Sequence, residues 1–257
     1  MNLIDTHCHL DFPDFDKDRL SVINRAKDAG IVRILNVSCS MKSCKKTSEL
    51  TRGSDSIYGS IGIHPHDAAS ADDAAISSLK EMAKDKKIVA IGEVGLDYYR
   101  NLSPKEKQVE VFLKFISISK ELNLPLIIHS RNAMAETLDI IKREFKGNCK
   151  GVFHCFSGDE KSLDEILGLG FYVSFTCNIT FKNAERLREI VKIAPMDKVL
   201  LETDAPFLAP QHLRGKRNEP AYLAYLLDAV SEIKGLSKEE IADTTTRNAN
   251  RLFKLGI

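Results

Sequence analysis

Short apolar runs alternate with longer amphipathic stretches along nearly the whole chain. The first run, Leu3 to Leu10, predicts a strand and contains two histidines one residue apart, His7 and His9. Asp18 to Gly30 follows as a helix, with Leu20, Ile23 and Ala26 on one side and Gly30 as its stop. Ile31 to Val37 reads as a buried strand, Met41 to Thr51 as a helix and Ile57 to Ile63 as a third strand. The same rhythm predicts helix Ala74–Lys84, strand Ile88–Glu93, helix Pro104–Leu122, strand Leu126–His129 and helix Ala133–Phe145. Strand Gly151–Cys155, helix Lys161–Leu169, strand Tyr172–Phe175, helix Ala184–Ile193 and strand Val199–Glu202 complete it. Two closing helices, Tyr222–Ile233 and Lys238–Phe253, come last, the second opened by a capping box of Ser237 and Glu240.

Runs such as Ile88-Val89-Ala90-Ile91 are apolar on both faces, as strands of a parallel sheet must be when helices cover both sides. Eight strands, with a helix between each successive pair, in 257 residues predict an α/β chain folded as a TIM (β/α)8 barrel, one domain over residues 1–257.

Composition narrows the function. With 37 basic and 36 acidic side chains the formal charge is +1, so overall charge cannot coat duplex nucleic acid, and any polyanion must be met by a local site. The six cysteines form no C-x-x-C and no dense framework, which favours reduced thiols in a cytoplasmic protein over structural disulfides. Neither a secretory signal nor an apolar run of membrane-spanning length is evident. The expectation is a soluble cytoplasmic enzyme with no membrane partner.

The polar residues on the strands then become decisive. His7 and His9 end the first predicted strand, Glu93 the fourth, His129 the fifth and His154 the sixth, while Asp204 follows the eighth. A barrel gathers its active site at the C-terminal ends of its strands. Histidines and carboxylates converging there suit a centre of two divalent cations, because each ion needs several donors and one carboxylate can bridge two ions. A single such histidine is more often a hydrogen-bonded core residue, but here four of the seven histidines fall at these ends.

The blocks Ile4-Asp5-Thr6-His7-Cys8-His9, Gly62-Ile63-His64-Pro65-His66, Gly92–Tyr98, Ile128-His129-Ser130-Arg131, Phe153–Gly158, Glu202–Pro206 and Arg214–Pro220 resemble the TatD family of metal-dependent deoxyribonucleases, within the wider amidohydrolase-like barrel superfamily. The resemblance spans essentially the whole chain. It implies one metal held by His7, His9, Glu93 and Asp204, and a second held by Glu93, His129 and His154, with Glu93 bridging. It implies hydrolysis of DNA phosphodiesters by activated water, acting from a 3′ end on short, single-stranded or frayed DNA. The ions could be Zn²⁺, Mn²⁺ or Mg²⁺.

Within that frame Asp204 and Glu93 are the catalytic candidates, with Asp204 orienting or deprotonating the water. Arg131, two residues beyond His129, is either a phosphate clamp or a structural ion pair with Glu202 or Glu93. His64 is a second candidate for binding, either to the same phosphate or to the metal-bound water. His66 and the Arg214, Lys216, Arg217 cluster either follow the nucleic acid further or lie in solvent, and Tyr98 and Tyr99 either stack on a base or pack their loop. Asp5 and Glu202 are candidate acceptors behind the ligands. Cys8 and Cys155 are expected to point away from the site by strand alternation. His212 has no assigned role. A hydrolase of small ester or amide substrates, or an aminoacyl-tRNA deacylase, could use the same centre, as fold does not fix substrate. A non-catalytic scaffold is disfavoured by the full ligand set.

Overall fold

The structure, a computed structural model, describes residues 1–145 and 150–257. Eight strands, β1 (Leu3–Cys8), β2 (Ile31–Asn36), β3 (Ile57–Ile61), β4 (Ile88–Asp97), β5 (Leu126–Arg131), β6 (Gly151–Phe153), β7 (Tyr172–Phe175) and β8 (Val199–Leu201), pair in parallel in sequence order. The crossovers are α1 (Arg19–Asp28), α2 (Met41–Arg52), α3 (Asp73–Met82), α4 (Lys105–Leu122), α5 (Met134–Glu144), α6 (Glu160–Gly168) and α7 (Glu185–Ile193), followed by α8 (Leu223–Lys234) and α9 (Lys238–Phe253). The expected capping box opens α9: Ser237 accepts from the Glu240 N–H while the Glu240 carboxylate accepts from the Ser237 N–H.

The seam between β8 and β1 closes through backbone bonds, Asp204 N–H to His7 O at 2.8 Å and His9 N–H to Ala205 O at 2.8 Å. Asp5 reinforces it. Its carboxylate accepts the Thr203 N–H at 2.9 Å and the Thr203 hydroxyl at 2.6 Å, with the His7 N–H at 3.3 Å. Asp5 therefore ties β1 to the β8 loop through backbone groups and does not accept from a ligand's ring. Burial, only partly offset by Thr203, lifts its pKa to about 7.

Two apolar layers result. Between barrel and helices lies a cluster including Phe112, Phe115, Leu163, Ile190 and Leu226. Inside the barrel, Ile4, Leu35, Val89, Ile127, Val152, Tyr172 and Leu200 meet Leu252, Phe253 and Leu255 from the C-terminal segment. Ile127, Val152 and Leu200 stand two residues before His129, His154 and Glu202, on the same side of their strands. The lumen is thus apolar and plugged at one end, while His129, His154 and Glu202 stand toward the other.

Some expectations need correction. Leu20 is 78% exposed, while Val22 and Ala26 are buried and Ile23 packs partly against the core; the apolar face of α1 is turned from the one expected. β4 continues four residues past Glu93, to Asp97, with its register against β5 shifting between Ile91 and Val94. β6 stops at Phe153, and Cys155 adopts a left-handed conformation (φ 45°). The thiol of Cys155 therefore contacts Thr176 and Asn178, both at 3.7 Å, at the mouth of the barrel. Cys8 is fully buried as expected. Cys8, Cys39, Cys44, Cys155 and Cys177 are free thiols, and Cys149 lies outside the described residues. No helix among the described residues is long and apolar enough to cross a membrane.

Candidate metal centre

Glu93 occupies the middle of the mouth. Its Oε2 lies 3.5 Å from His7 Nε2 and 3.9 Å from His9 Nε2. Its Oε1 lies 2.7 Å from His154 Nε2, 2.8 Å from His129 Nδ1 and 3.5 Å from His64 Nε2. Asp204, turned inward by a left-handed backbone (φ 55°), brings Oδ1 to 3.4 Å from His9 Nε2 and 3.8 Å from His7 Nε2. His7 Nε2 and His9 Nε2 are 3.3 Å apart.

The far nitrogen of each ring fixes what its near nitrogen offers. His9 Nδ1 lies 2.7 Å from the Val37 carbonyl and must donate, leaving the Nε2 lone pair facing inward. His129 Nε2 faces Asp97 Oδ2 at 3.1 Å, so the Nδ1 lone pair points to Glu93. His154 Nδ1 faces Glu202 Oε1 at 3.4 Å, and His7 Nδ1 faces Glu202 Oε2 at 4.0 Å. Neither Nδ1 has a hydrogen-bond partner, although both are buried. Glu202 also accepts the Cys155 N–H at 2.8 Å. The inward nitrogens of His9 and His129 thus offer lone pairs beside the carboxylates of Glu93 and Asp204. Donors at 2.0–2.1 Å from a tetrahedral ion stand about 3.3 Å apart, which matches the His7–His9 separation. The donor set fits divalent cations.

Ionisation follows from this crowding. Burial would raise Glu93, but His154, His64 and His129 hold it well below the usual carboxylate range. Burial lowers His7, and so does the neighbouring His154. Burial also disfavours charge on His9, yet Asp204 and Glu93 lift it to about 9. His64 is pushed well down, mainly by burial. Carboxylates that hold protons on nearby imidazoles would hold cations there as readily.

Groups of ligand atoms lying within 4.8 Å of one another include His7, His9 and Asp204; His7, His154 and Glu202; and His64, Glu93 and His129. His64, expected at the phosphate or the metal-bound water, therefore stands beside Glu93, with its Nδ1 accepting the His66 N–H at 3.1 Å.

Asp97 carried no role in the sequence reading. It is fully buried. Its Oδ2 faces His129 Nε2 at 3.1 Å and His66 Nε2 at 2.9 Å, while Oδ1 accepts the N–H groups of Tyr99 and Arg100 at 3.0 and 2.8 Å. His66 is thus tied to Asp97, with its side chain still partly exposed. The signal available in the sequence was parity, since Asp97 stands four residues after Glu93 on an extended strand.

A family model described as TatD related DNase matches residues 4–254. The chain belongs to the TatD family. An uncharacterized metal-dependent hydrolase, YabD, of Bacillus subtilis is 43% identical over 253 residues, covering 98% of this chain and 99% of that protein. A protein named 3′-5′ ssDNA/RNA exonuclease TatD, from Pectobacterium atrosepticum, is 34% identical over 261 residues, 98% of this chain and 100% of its own. The crystal structure of YjjV, a TatD homologue of Escherichia coli, superposes with a TM-score of 0.93 at 28% identity and 98% coverage of both chains. This TatD-family chain is a metal-dependent hydrolase on a TIM barrel.

The remaining expected residues of this TatD-family site lie around the rim. Arg131 is exposed and stacks on Tyr99 at 4.0 Å; among the described residues it pairs with neither Glu202 nor Glu93. Tyr98 donates to Glu136 at 2.9 Å and packs its loop. Arg217 is bound to Asp18 at 2.7 Å, and His212 stands edge-to-face with Tyr225, 4.5 Å between ring centres.

Proposed function

We propose that this hydrolase is a 3′-5′ exodeoxyribonuclease acting on single-stranded or frayed DNA ends with two divalent cations. His7, His9, Glu93 and Asp204 would hold one cation, and Glu93, His129 and His154 the other, Zn²⁺, Mn²⁺ or Mg²⁺. The observation that carries this reading is the division of Glu93: one oxygen faces His7 and His9 while the other faces His129 and His154. When bound, the ions would acidify a water and neutralise the phosphate.

The protein's own groups do the rest. Asp204, at the rim of the first cluster, takes the proton of the attacking water. Arg131 projects from the end of β5 into solvent and clamps non-bridging oxygens. His64 keeps its proton on Nε2, because Nδ1 accepts from His66, and donates it to the same phosphate. Free thiols accord with a cytoplasmic setting. The relative named as an ssDNA/RNA exonuclease supports the substrate class.

The test is purified protein with Mg²⁺, Mn²⁺ or Zn²⁺ on single-stranded oligonucleotides labelled at either end, with an aminoacyl ester in parallel. A ladder shortening from the 3′ end is expected. If the ester turns over and no DNA or RNA is shortened, the reading is lost.

A further inference from the structure

We propose that the loop after β8 forms a nucleotide subsite, in which Phe207 stacks a base and Arg214 and Lys216 hold the adjoining phosphate; the proposal rests on the nuclease reading. Phe207 is 51% exposed beside the polar centre. Its ring stands edge-on to His9, 6.2 Å between centres, and to Phe12, 5.9 Å. Phe12 in turn stacks on His9 at 4.7 Å. A base on the open face of Phe207 is therefore one ring away from a candidate metal ligand.

The loop is held in place. The Phe207 N–H donates to Asp204 O at 2.9 Å, and its carbonyl accepts from the Asn218 side chain at 2.6 Å. That same amide group reaches Thr203 O at 2.9 Å. The aromatic platform is thus built on the segment that carries Asp204 and is pre-organised with it.

Beyond Phe207 opens a cavity of about 480 Å³, within the range of small-ligand sites, lined by Phe181, Phe207, Arg214, Lys216, Arg217 and Asp14 among others. Arg217 is neutralised by Asp18 at 2.7 Å. The ion pairs among the described residues include neither Arg214 nor Lys216; the Arg214 guanidinium lies 4.8 Å over the Phe181 ring. Two available cations thus face one acid, Asp14. Exposed aromatic face, adjacent cations and an opening beside the centre are the features by which single strands are held without sequence preference.

The experiment compares kcat/KM for an oligothymidylate and for bis(p-nitrophenyl) phosphate in Mn²⁺, with folding checked by circular dichroism. Phe207→Ala should lower the oligonucleotide value about 5- to 150-fold through KM, the range of one lost base stack, and lower the ratio of the two substrates. Phe207→Trp should restore it. Lys216→Ala should reduce the slope of log KM against log salt by about 0.7. Equal losses on both substrates, or a Trp variant as poor as the Ala variant, would overturn the subsite. A wild-type protein that cuts no oligonucleotide would instead overturn the nuclease reading beneath it.

Discussion

Replacing Asp97 by Asn tests how the proposed second metal position is prepared. The aspartate uses both oxygens: Oδ2 receives His129 and His66, and Oδ1 receives the backbone N–H groups of Tyr99 and Arg100. Asparagine keeps the shape but has only one acceptor oxygen. If its amide nitrogen faces the imidazoles, His129 must carry its proton on Nδ1, 2.8 Å from Glu93, and the lone pair expected to bind metal disappears. If the amide nitrogen faces the loop, donors oppose donors, at about 1–3 kcal/mol for each buried group left unsatisfied.

Either way the cost falls on one position. Outer partners of metal-binding histidines are worth about 10- to 100-fold in affinity, or about 1.4–2.7 kcal/mol. Calorimetric titration of Mn²⁺ or Zn²⁺ into metal-free protein should show one site weakened by that factor. The site built on His7, His9 and Asp204 should keep its affinity. Two sites of unchanged affinity in a folded Asp97→Asn protein would refute the reasoning, as would equal weakening of both.

Other outcomes follow from single contacts. Glu93→Gln removes the carboxylate proposed to bridge the two cations, so metal content by elemental analysis should fall from the proposed two ions toward none, and turnover by at least about 10³-fold, or about 4 kcal/mol. Gly95→Ala would put a Cβ 2.0 Å from the His129 carbonyl at φ 141°; denaturant unfolding should show a loss of about 3 kcal/mol or more. Arg217 holds the Asp18 carboxyl down at about 2 from an ordinary 3.8. A depressed acid stabilises the fold above its unfolded pKa and loses that contribution as pH falls through the folded one. The Tm difference between wild type and Arg217→Ala should therefore be larger at pH 6 than near pH 2, where the Asp18 contribution is gone but the Arg217 bond to the Asp14 carbonyl remains, and the Asp18 carboxyl signal in NMR should titrate higher in the variant.

The barrel was readable because a parallel sheet covered on both faces leaves short, wholly apolar runs, and crossover helices separate them in order. The candidate ligands were readable because the same strands end in histidine or carboxylate. What escaped has physical causes. β4 was cut at Glu93 since Gly92 and Gly95 interrupt the pattern; both have positive φ, and the strand passes through its register shift to reach Asp97. Cys155 was placed by alternation, but alternation ends where the backbone turns left-handed. Periodicity alone turns Leu20 inward with Ile23 and Ala26; Ala26 is buried as expected, and only packing selects Val22 in place of Leu20. The Arg217–Asp18 pair joins residues 199 positions apart, beyond any local pattern.

Strand order gives the rim its logic. In a closed eight-stranded barrel β8 and β1 lie across from β4 and β5. On the β4–β5 side, Tyr99 already has Arg131 against its ring, so a guanidinium is presented to solvent and that face of the tyrosine is taken. On the β8–β1 side, Phe207 is exposed and lines one cavity with Arg214 and Lys216. The first wall suits a phosphate and the second a base, with Glu93 between them. A strand laid across the mouth would then place its scissile phosphate at the centre with a base stacked to one side. Selection would reside in the loops, while the strand ends supply the chemistry.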